Sequence, residues 1–592
     1  MKICPVWLKA GLVALAVATL PPAHAASQKA SLVLRHGKIV TLWPEKPTTQ
    51  AIAVADHKVL AVGSDADIAV YIGSDTRVID LNGRLAVPGF IEGHGHFMEL
   101  GQSKMELDLT TAKTWSDIVA MVKKAAATAE PGEWIVGRGW HQEKWTRPPQ
   151  PNIDGLPLGD KLNAVSPNNP VVLIHASGHA VFANVKALEI AGISKNTPDP
   201  KGGEIVRKRD GTPIGMLRDN AQDSVLRALQ QWLAKRPPAK IKADRMKAIR
   251  LAGHDALSKG ITTFVDMGEP FDIIDVYKAL AQKGKLPLRL YAMINSEPPE
   301  ALANHIADYR MIDYGEHGFL TVRGIGEILS DGALGTHSAW FLKPYNDLPS
   351  STGINVTPMK RIHRIAEIAI NNDFQLAVHA IGDRANREVL DVYEEIFNSH
   401  PKKTDLRWRI EHAQHLNPED IPRFGEMHVI ASMQSIHACS DGPYVVKRIG
   451  KKRAKEGAYA WQSLLKTGAM LNQGTDVPVE DEDPIPNFKC AVTRQLKDGS
   501  LFFPEQDMSR MQALKSYTLW NAYGMFKAKQ LGSLMPGKLA DIVVLSKDIM
   551  TVEPAGIDDA KVDYTILNGN VVYQREENQH PSSRPSSYKD LP

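Results

Sequence analysis

The sequence predicts an α/β protein built on a parallel sheet, either open or closed into a barrel. Apolar strand-like runs alternate with helical segments from about residue 361 to residue 476, and repeated βα units of this kind form parallel sheets. The apolar run Phe90-Ile91 is typical of a buried strand and leads into His94-Gly95-His96. Both chain ends are instead rich in short β-branched runs separated by turn residues, which indicates strands.

The N-terminus has the pattern of a secretory signal peptide over residues 1–25. Lys2 and Lys9 precede an apolar run from residue 10 to residue 20, and Ala23 and Ala25 form an Ala-x-Ala cleavage site. The run is too short for a stable membrane span. We therefore expect an exported protein, periplasmic or secreted.

Composition excludes several classes of protein. About 567 residues follow the signal peptide, enough for one large domain and an accessory one. The net charge is +3 with no basic stripe, which argues against a nucleic-acid partner, and no later apolar stretch is long enough for a membrane span. Cys439 and Cys490 remain after cleavage. An oxidising compartment permits a bridge, but two cysteines make no disulfide framework, so we expect unpaired thiols.

The two ends of the chain are expected to join into one small β domain made of residues 26–88 and 530–578. A hairpin through Asn568-Gly569 is predicted near the C-terminus, because this dipeptide favours a tight turn. The predicted strands of this part cover residues 31–34, 37–41, 51–54, 58–63, 540–545 and 564–573.

The middle of the chain, residues 89–529, is expected to carry the parallel sheet. Thr114 and Asp117 form a predicted capping box for a helix that ends near residue 129. Residues 100 to about 255 are rich in Trp, Pro and Gly and fit the βα rhythm poorly, so we interpret them as an insertion that covers the site. The tail 579–592 is Pro/Ser-rich and is expected to be disordered. Predicted strands are 375–379, 406–412, 428–434 and 469–476, and predicted helices are 361–371 and 386–397.

Candidate metal ligands stand at the ends of these predicted strands. His94 and His96 are two residues apart, so their side chains project to the same face of a strand. His379, His412 and Asp476 each end a later strand, where the functional groups of a parallel barrel are found. Imidazole and carboxylate groups together can hold one or two divalent metal ions.

The chain resembles the amidohydrolase superfamily, specifically the amidohydrolase-3 branch with its YtcJ-like proteins and N-substituted formamide deformylases, and exported relatives of the AepA type. The resemblance covers nearly the whole mature chain. The motifs that carry it are Pro88-Gly89-Phe90-Ile91-Glu92-Gly93-His94-Gly95-His96, Gly139-Trp140-His141-Gln142, Asp331-Gly332-Ala333-Leu334-Gly335, His379-Ala380-Ile381-Gly382-Asp383, Ile410-Glu411-His412-Ala413-Gln414 and Gly474-Thr475-Asp476-Val477-Pro478.

The resemblance implies a (β/α)8 TIM barrel with a split β-sandwich formed by both chain ends. It also assigns His94 and His96, His379 and His412 as metal ligands of strands 1, 5 and 6. Asp476 matches the aspartate of strand 8, which is both a ligand and a proton shuttle.

One position departs from the pattern of the family. Glu327 stands where many relatives have a carboxylated lysine that bridges two metals. Glutamate offers the same two-oxygen anion on a shorter stem, so we hypothesise that Glu327 binds or bridges the metals. The alternative is a glutamate at the rim of a site that holds one metal.

The expected chemistry is hydrolysis by a water that the metal activates. Asp476 would accept the proton of the water and pass it to the leaving nitrogen, and His179 would help to polarise the carbonyl oxygen. Weaker candidates for substrate binding are Trp140, His141, Gln142, Gln434 and His437.

The sequence thus predicts a hydrolase of a non-peptide carbon–nitrogen bond, with an amide or formamide-like small molecule as substrate. Two other reactions, deamination and the hydrolysis of a cyclic amide, remain alternatives, because the same activated water could carry out either of them. An exported regulatory or binding protein with a vestigial metal site is the alternative outside enzymes. Histidine with carboxylate suits zinc, with iron and manganese also open, and a homodimer through the β-sandwich is a further alternative.

Overall fold

A computed structural model describes residues 28–295 and 298–576 of the chain. The predicted signal peptide at 1–25 and the predicted tail at 579–592 lie outside the described residues.

A parallel barrel forms the centre of the molecule. Neighbouring strands pair in parallel register from β1 round to β8. The barrel closes where the Asp476 N–H donates to the carbonyl of His94 at 2.8 Å and the His96 N–H donates to the carbonyl of Val477 at 2.8 Å. The predicted TIM barrel is confirmed. Its strands are β1 (Phe90–Gly95), β2 (Ile261–Glu269), β3 (Arg289–Ile294), β4 (Leu320–Leu329), β5 (Gln375–Ala380), β6 (Arg409–His412), β7 (Ile430–Met433) and β8 (Leu471–Gln473).

Closure depends on a glycine between β8 and β1. A Cβ atom at Gly474 would lie 2.4 Å from the backbone nitrogen of His94 and 2.5 Å from Glu92 Oε1. Glu92 accepts a hydrogen bond from the Thr475 N–H at 2.6 Å. Only a residue without a side chain lets the last strand approach the first this closely.

Helices surround the barrel and bury one face each. In Asp383–Ser399 the buried residues Val389, Tyr393 and Ile396 follow a spacing of three to four, which places them on one side of a helix. The helices of this layer are Phe97–Ser103, Pro238–Ser258, Phe271–Gln282, Pro299–His305, Met359–Asn371, Asp383–Ser399, Ile421–Glu426, Ser435–Ile449, Lys451–Gly457, Trp461–Lys466, Pro484–Thr493, Arg510–Ser516 and Leu519–Gly524.

Three barrel strands are shorter than the sequence predicts, and a residue with a positive φ angle lies close to each of them. Arg407, His428 and Asp476 have φ angles of +51°, +54° and +61°. This left-handed conformation interrupts an extended strand. Strands β6 and β7 therefore begin after such residues, and β8 ends before one.

The segment between β1 and β2 forms a second layer above the barrel. Its helix Trp115–Ala126 is capped by the Thr114 side chain, but Asp117 accepts from the Lys113 N–H, so the predicted reciprocal box is only half formed. The mixed sheet of this insertion runs in the order Gly203–Arg207, Pro213–Asp219, Ala180–Ala183, Val171–His175, Ile135–Trp140 and Leu107–Asp108. The other elements are strands Asn152–Ile153 and Leu156–Pro157 and helices Asp160–Val165, Val185–Ile190 and Asp223–Ala234.

Strands from both chain ends meet in one sheet. Ile542–Leu545 pairs antiparallel with Leu85–Pro88, and the predicted hairpin at Asn568-Gly569 joins Val562–Leu567 to Asn570–Gln574. This six-stranded sheet is completed by Lys38–Val40 and Thr48–Thr49. A neighbouring sheet has the order Lys58–Gly63, Ala51–Ala55, Leu32–Arg35 and Arg77–Asp80, with helix Asp65–Ala69 beside it.

The prediction of unpaired thiols is wrong. Cys439 and Cys490 form a disulfide with their Cα atoms 6.1 Å apart, a distance usual for such bridges. The bond joins helix Ser435–Ile449 to helix Pro484–Thr493. Two cysteines distant in sequence gave no sign that the helices after β7 and β8 pack side by side.

Within the described ranges, none of the helices combines the length and the apolar character that a membrane crossing requires.

Candidate metal centre

Six side chains from five barrel strands or their ends converge at one point. They are His94, His96, Glu327, His379, His412 and Asp476. Their ligand atoms fall into groups in which all members lie within 4.8 Å of one another, and one of these groups also includes His437. The sequence predicted all six, and the structure brings all six together.

Glu327 stands between two sets of histidines. Its Oε1 atom lies 3.8 Å from His94 Nε2 and 3.7 Å from His96 Nε2. Its Oε2 atom lies 3.7 Å from His379 Nδ1 and 3.4 Å from His412 Nε2. Each oxygen of one carboxylate therefore faces a different pair of imidazoles.

Asp476 lies beside the first pair. Its Oδ1 atom is 3.3 Å from His94 Nε2 and 3.2 Å from His96 Nε2. Its left-handed backbone turns the carboxylate from the end of β8 toward β1. The predicted common direction of His94 and His96 agrees with this arrangement, because both rings face the same two carboxylates.

Buried atoms at this point have no hydrogen-bond partner among the described residues. They include His94 Nε2, both ring nitrogens of His379 and Glu327 Oε2. Leaving such atoms unsatisfied is costly. Imidazole nitrogens and carboxylate oxygens facing one point are the donor set of a divalent metal site, so the residues present fit a metal ion.

The carboxylates and histidines of the centre shift each other's pKa. Burial opposes protonation of His94, yet Glu327 and Asp476 raise the pKa of its ring well above the ordinary value. Burial also works against ionisation of Asp476, but His94 and His96 hold its pKa well below the ordinary value. Carboxylates that draw protons onto neighbouring histidines attract a divalent cation for the same reason.

A buried ion pair holds His94 in orientation. Glu411 Oε2 lies 2.6 Å from His94 Nδ1, and the Glu411 carboxylate accepts two hydrogen bonds from the Arg409 guanidinium at 2.7 and 2.8 Å. With Nδ1 engaged, His94 Nε2 is the nitrogen that faces Glu327 and Asp476. A carboxylate behind a histidine is the usual outer support of a metal ligand.

The other two histidines also have polar neighbours. His412 Nδ1 is bonded to Gln434 Oε1 at 2.8 Å, and His379 Nε2 lies 3.5 Å from Asp331 Oδ1. Asp331 is itself fixed by three backbone N–H groups at 2.7–2.9 Å. Gln434, predicted to bind substrate, therefore contacts the back of a candidate ligand and is not among the residues that line the cavity.

His179 reaches the centre from the insertion. Its ring centroid is 5.1 Å from that of His379, and its Nδ1 atom lies 3.2 Å from Asp219 Oδ1. Asp219 ends the strand Pro213–Asp219, and its other oxygen, Oδ2, has no partner among the described residues. The pair places a histidine from the covering layer directly above the barrel mouth.

A cavity of about 1080 Å³ opens onto this centre. The insertion contributes His141, Lys144 and His179 to its wall, and the barrel loops contribute Gln414 and His437. A space this large accommodates a small-molecule substrate.

Only some of the residues that were weaker candidates for substrate binding line the cavity. His141 and His437 line the cavity, whereas Trp140 and Gln142 stay outside its wall among the described residues. Trp140 is fully buried and donates to the Leu173 carbonyl at 2.9 Å, and Gln142 contacts His175 at 3.1 Å. Trp140 therefore belongs to the hydrophobic core of the insertion rather than to the wall of the cavity.

Sequence reasoning missed the supporting carboxylates Glu411, Asp331 and Asp219 and the cavity residue Gln414. One signal was available: Arg409 and Glu411 are charged residues at alternate positions of a short buried strand, which requires that they pair inside the barrel. Asp219 gave no such signal, because its contact with His179 depends on the folding of the insertion.

Comparisons with known proteins agree with this geometry. A family model described as "Amidohydrolase family" matches residues 77–573. Protein LONG AFTER FAR-RED 3 of Arabidopsis thaliana is 34% identical over 87% of this chain and 87% of its own length. YtcJ of Bacillus subtilis is 32% identical over 91% of this chain and 98% of its own. The N-substituted formamide deformylase of Arthrobacter pascens is 25% identical over 93% and 99%.

A solved structure has the same architecture. An uncharacterized metal-dependent hydrolase from Pyrococcus horikoshii superposes with a TM-score of 0.69 at 26% identity, covering 88% of this chain and 99% of that chain.

Proposed function

This chain belongs to the amidohydrolase family and is a hydrolase of carbon–nitrogen bonds, and from that premise we propose that it cleaves an amide or formamide-like bond of a small molecule with the help of a divalent metal. The observation that carries the proposal is the convergence of four histidines, Glu327 and Asp476 at one point, where several of their buried polar atoms have no hydrogen-bond partner among the described residues. The similarity to an N-substituted formamide deformylase supports the choice of bond.

The metal would be held by His94, His96, His379, His412, Glu327 and Asp476. Because the two oxygens of Glu327 face different pairs of histidines, each oxygen would help to hold a divalent ion beside its own pair. We propose zinc, which histidine and carboxylate ligands suit. When bound, a divalent ion supplies Lewis acidity that polarises a carbonyl oxygen and acidifies water.

Asp476 is proposed as the proton shuttle. Its lowered pKa keeps the carboxylate ionised at neutral pH, so it accepts a proton from the attacking water. The protonated carboxyl group then gives that proton to the leaving nitrogen, which departs as an amine.

His179 is proposed to act on the carbonyl oxygen of the substrate. Nδ1 donates to Asp219. Burial opposes protonation of His179, but Asp219 raises the pKa of the ring. The protonated ring would therefore donate from its other nitrogen as negative charge develops on that oxygen. The covering layer would also exclude bulk water from the reaction.

Export is proposed as well. The Cys439–Cys490 disulfide supports it, because such bonds persist in oxidising compartments.

The test combines metal quantification with a hydrolysis screen. Protein reconstituted with zinc or manganese is assayed against N-formyl and N-acyl amines, and the released amine is measured. We expect turnover by wild type and its loss in Asp476→Asn. Full activity in that variant would remove the proton-shuttle role, and bound metal without turnover on any member would favour a regulatory protein.

A further inference from the structure

Two unsatisfied polar side chains on the cavity wall have no part in the proposed chemistry. Gln414 follows β6 and is 3% exposed, and His437 lies in helix Ser435–Ile449 and is 6% exposed. Gln414 Oε1 and His437 Nε2 have no hydrogen-bond partner among the described residues. Both residues line the cavity.

The two side chains contact each other through their remaining polar atoms. Gln414 Nε2 and His437 Nδ1 are 3.3 Å apart. If the amide donates here, Nδ1 is the acceptor, so the neutral ring carries its proton on Nε2 while Gln414 Oε1 stays free to accept. If the amide is turned over, the free atoms exchange roles. In either arrangement the pair presents one donor and one acceptor.

The charged neighbours of this pair already have protein partners. Lys144 Nζ binds Glu480 Oε1 at 2.8 Å. Asp441 accepts hydrogen bonds from the Tyr444 hydroxyl at 2.5 Å and from the Tyr459 hydroxyl at 2.8 Å. The atoms of this part of the wall that still lack a hydrogen-bond partner, Gln414 Oε1 and His437 Nε2, therefore belong to uncharged groups.

We propose that Gln414 and His437 recognise a neutral amide-type group of the substrate, such as a carboxamide or ureido group, next to the scissile bond. An amide-type group offers one acceptor and one donor side by side, which complements the pair. The recognised group adjoins the reacting atoms because His437 offers a ring nitrogen within 4.8 Å of ligand atoms of His412 and Asp476. This inference rests on the proposed function and specifies its substrate class.

Gln434 differs from Gln414 in that its side chain has no free polar atom. Gln434 uses Oε1 on His412 at 2.8 Å and Nε2 on the Ser432 carbonyl at 3.4 Å. Both of its polar ends are used inside the protein, whereas Gln414 keeps one for the cavity. Gln434 is therefore a matched control for Gln414.

The test uses zinc-reconstituted full-length enzyme and three formamides. N-formylglycinamide carries the carboxamide, N-formylisobutylamine has an isosteric apolar group in its place, and N-formylglycine has a carboxylate. We expect kcat/KM for the carboxamide to exceed that for the other two by about tenfold or more, the cost of leaving buried polar groups unpaired. Equal values for the carboxamide and the apolar isostere would overturn the inference.

Two variants locate the preference. We expect Gln414→Leu to bring the ratio of kcat/KM between carboxamide and isostere close to one, and Gln434→Leu to leave that ratio in place while lowering both rates. A ratio that survives Gln414→Leu contradicts the assignment. His437→Phe should lose the preference and keep its zinc, whereas loss of zinc would make His437 a metal ligand and overturn its role here.

A binding measurement separates this inference from the proposed function. Calorimetry compares the amine products glycinamide and isobutylamine on wild-type enzyme, independently of any turnover. Tighter binding of glycinamide that is lost in Gln414→Leu supports the pair even if no formamide is cleaved. Turnover of formamides with equal binding of both amines retains the proposed function and removes the inference.

Discussion

At the scale of single residues, Glu327 is proposed as the residue that organises the metal centre. Its two carboxylate oxygens face different histidines: Oε1 lies 3.8 Å from His94 Nε2, and Oε2 lies 3.4 Å from His412 Nε2. A carboxylate that held two cations would offset part of the repulsion between them.

We expect Glu327→Ala to lower the metal content of purified protein, because each ion would lose a ligand and the negative charge that it shares. Metal is quantified in the variant, in wild type and in Glu300→Ala, a surface glutamate paired with Arg364 and 61% exposed. The surface variant should match wild type. Unchanged metal in Glu327→Ala would show that the ligand assignment is wrong.

Glu411→Gln should weaken metal binding by about 10- to 100-fold, the range for outer supports of metal ligands. It should also destabilise the fold by roughly 3 kcal/mol, because Arg409 loses its buried counter-charge. Metal titration and denaturant unfolding measure the two effects. The same substitution at Glu419, which is 80% exposed, serves as the control and is expected to change neither quantity. Wild-type affinity in Glu411→Gln would contradict the support role.

At the scale of elements, the sequence predicted where strands occur but not where each strand begins and ends. Apolar runs that alternate with helical segments predicted β5 to β8 in the right places. Their limits coincide with Arg407, His428 and Asp476, whose left-handed backbone is not visible in the apolar pattern. The site followed the same division. Ligands at strand ends were predictable, whereas the contact of Glu411 with His94, across 317 positions of sequence, was not.

The disulfide should stabilise the elements around the barrel mouth. It closes a loop of 51 residues, for which the chain-entropy estimate is about 4 kcal/mol. Denaturant unfolding of wild type with and without reductant compares the same side chains with only the bond changed. We expect a lower midpoint in reductant. Identical midpoints after thiol titration has shown full reduction would contradict a stabilising role.

At the scale of the whole molecule, we propose that residues 26–88 and 530–578 form one composite β-sandwich beside the barrel domain 89–529, with the insertion at about 100–255. The pairing of Ile542–Leu545 with Leu85–Pro88 supports this. A buried apolar cluster shared by the two chain ends supports it further, with members such as Leu34, Ile52, Ile542 and Ile566.

A chain that stops at residue 540 should fail to form soluble protein, because it loses three strands and exposes that apolar cluster. A chain that stops at residue 576 keeps every described strand and is the matched control, expected to behave as the full chain. Size-exclusion chromatography and thermal melting report the outcome. A soluble, cooperatively melting chain of 540 residues would show that the composite sheet is dispensable.

The pairing of Leu85–Pro88 with Ile542–Leu545 also sets an order of events during synthesis. The early strand leaves the ribosome with one edge unoccupied, and its partner is made only after the entire barrel has been translated. Throughout that interval the edge can pair with any other extended chain that it meets. The sheet is therefore complete only after its C-terminal strands have been made, and slower translation of the barrel lengthens the time for which this edge stays unpaired.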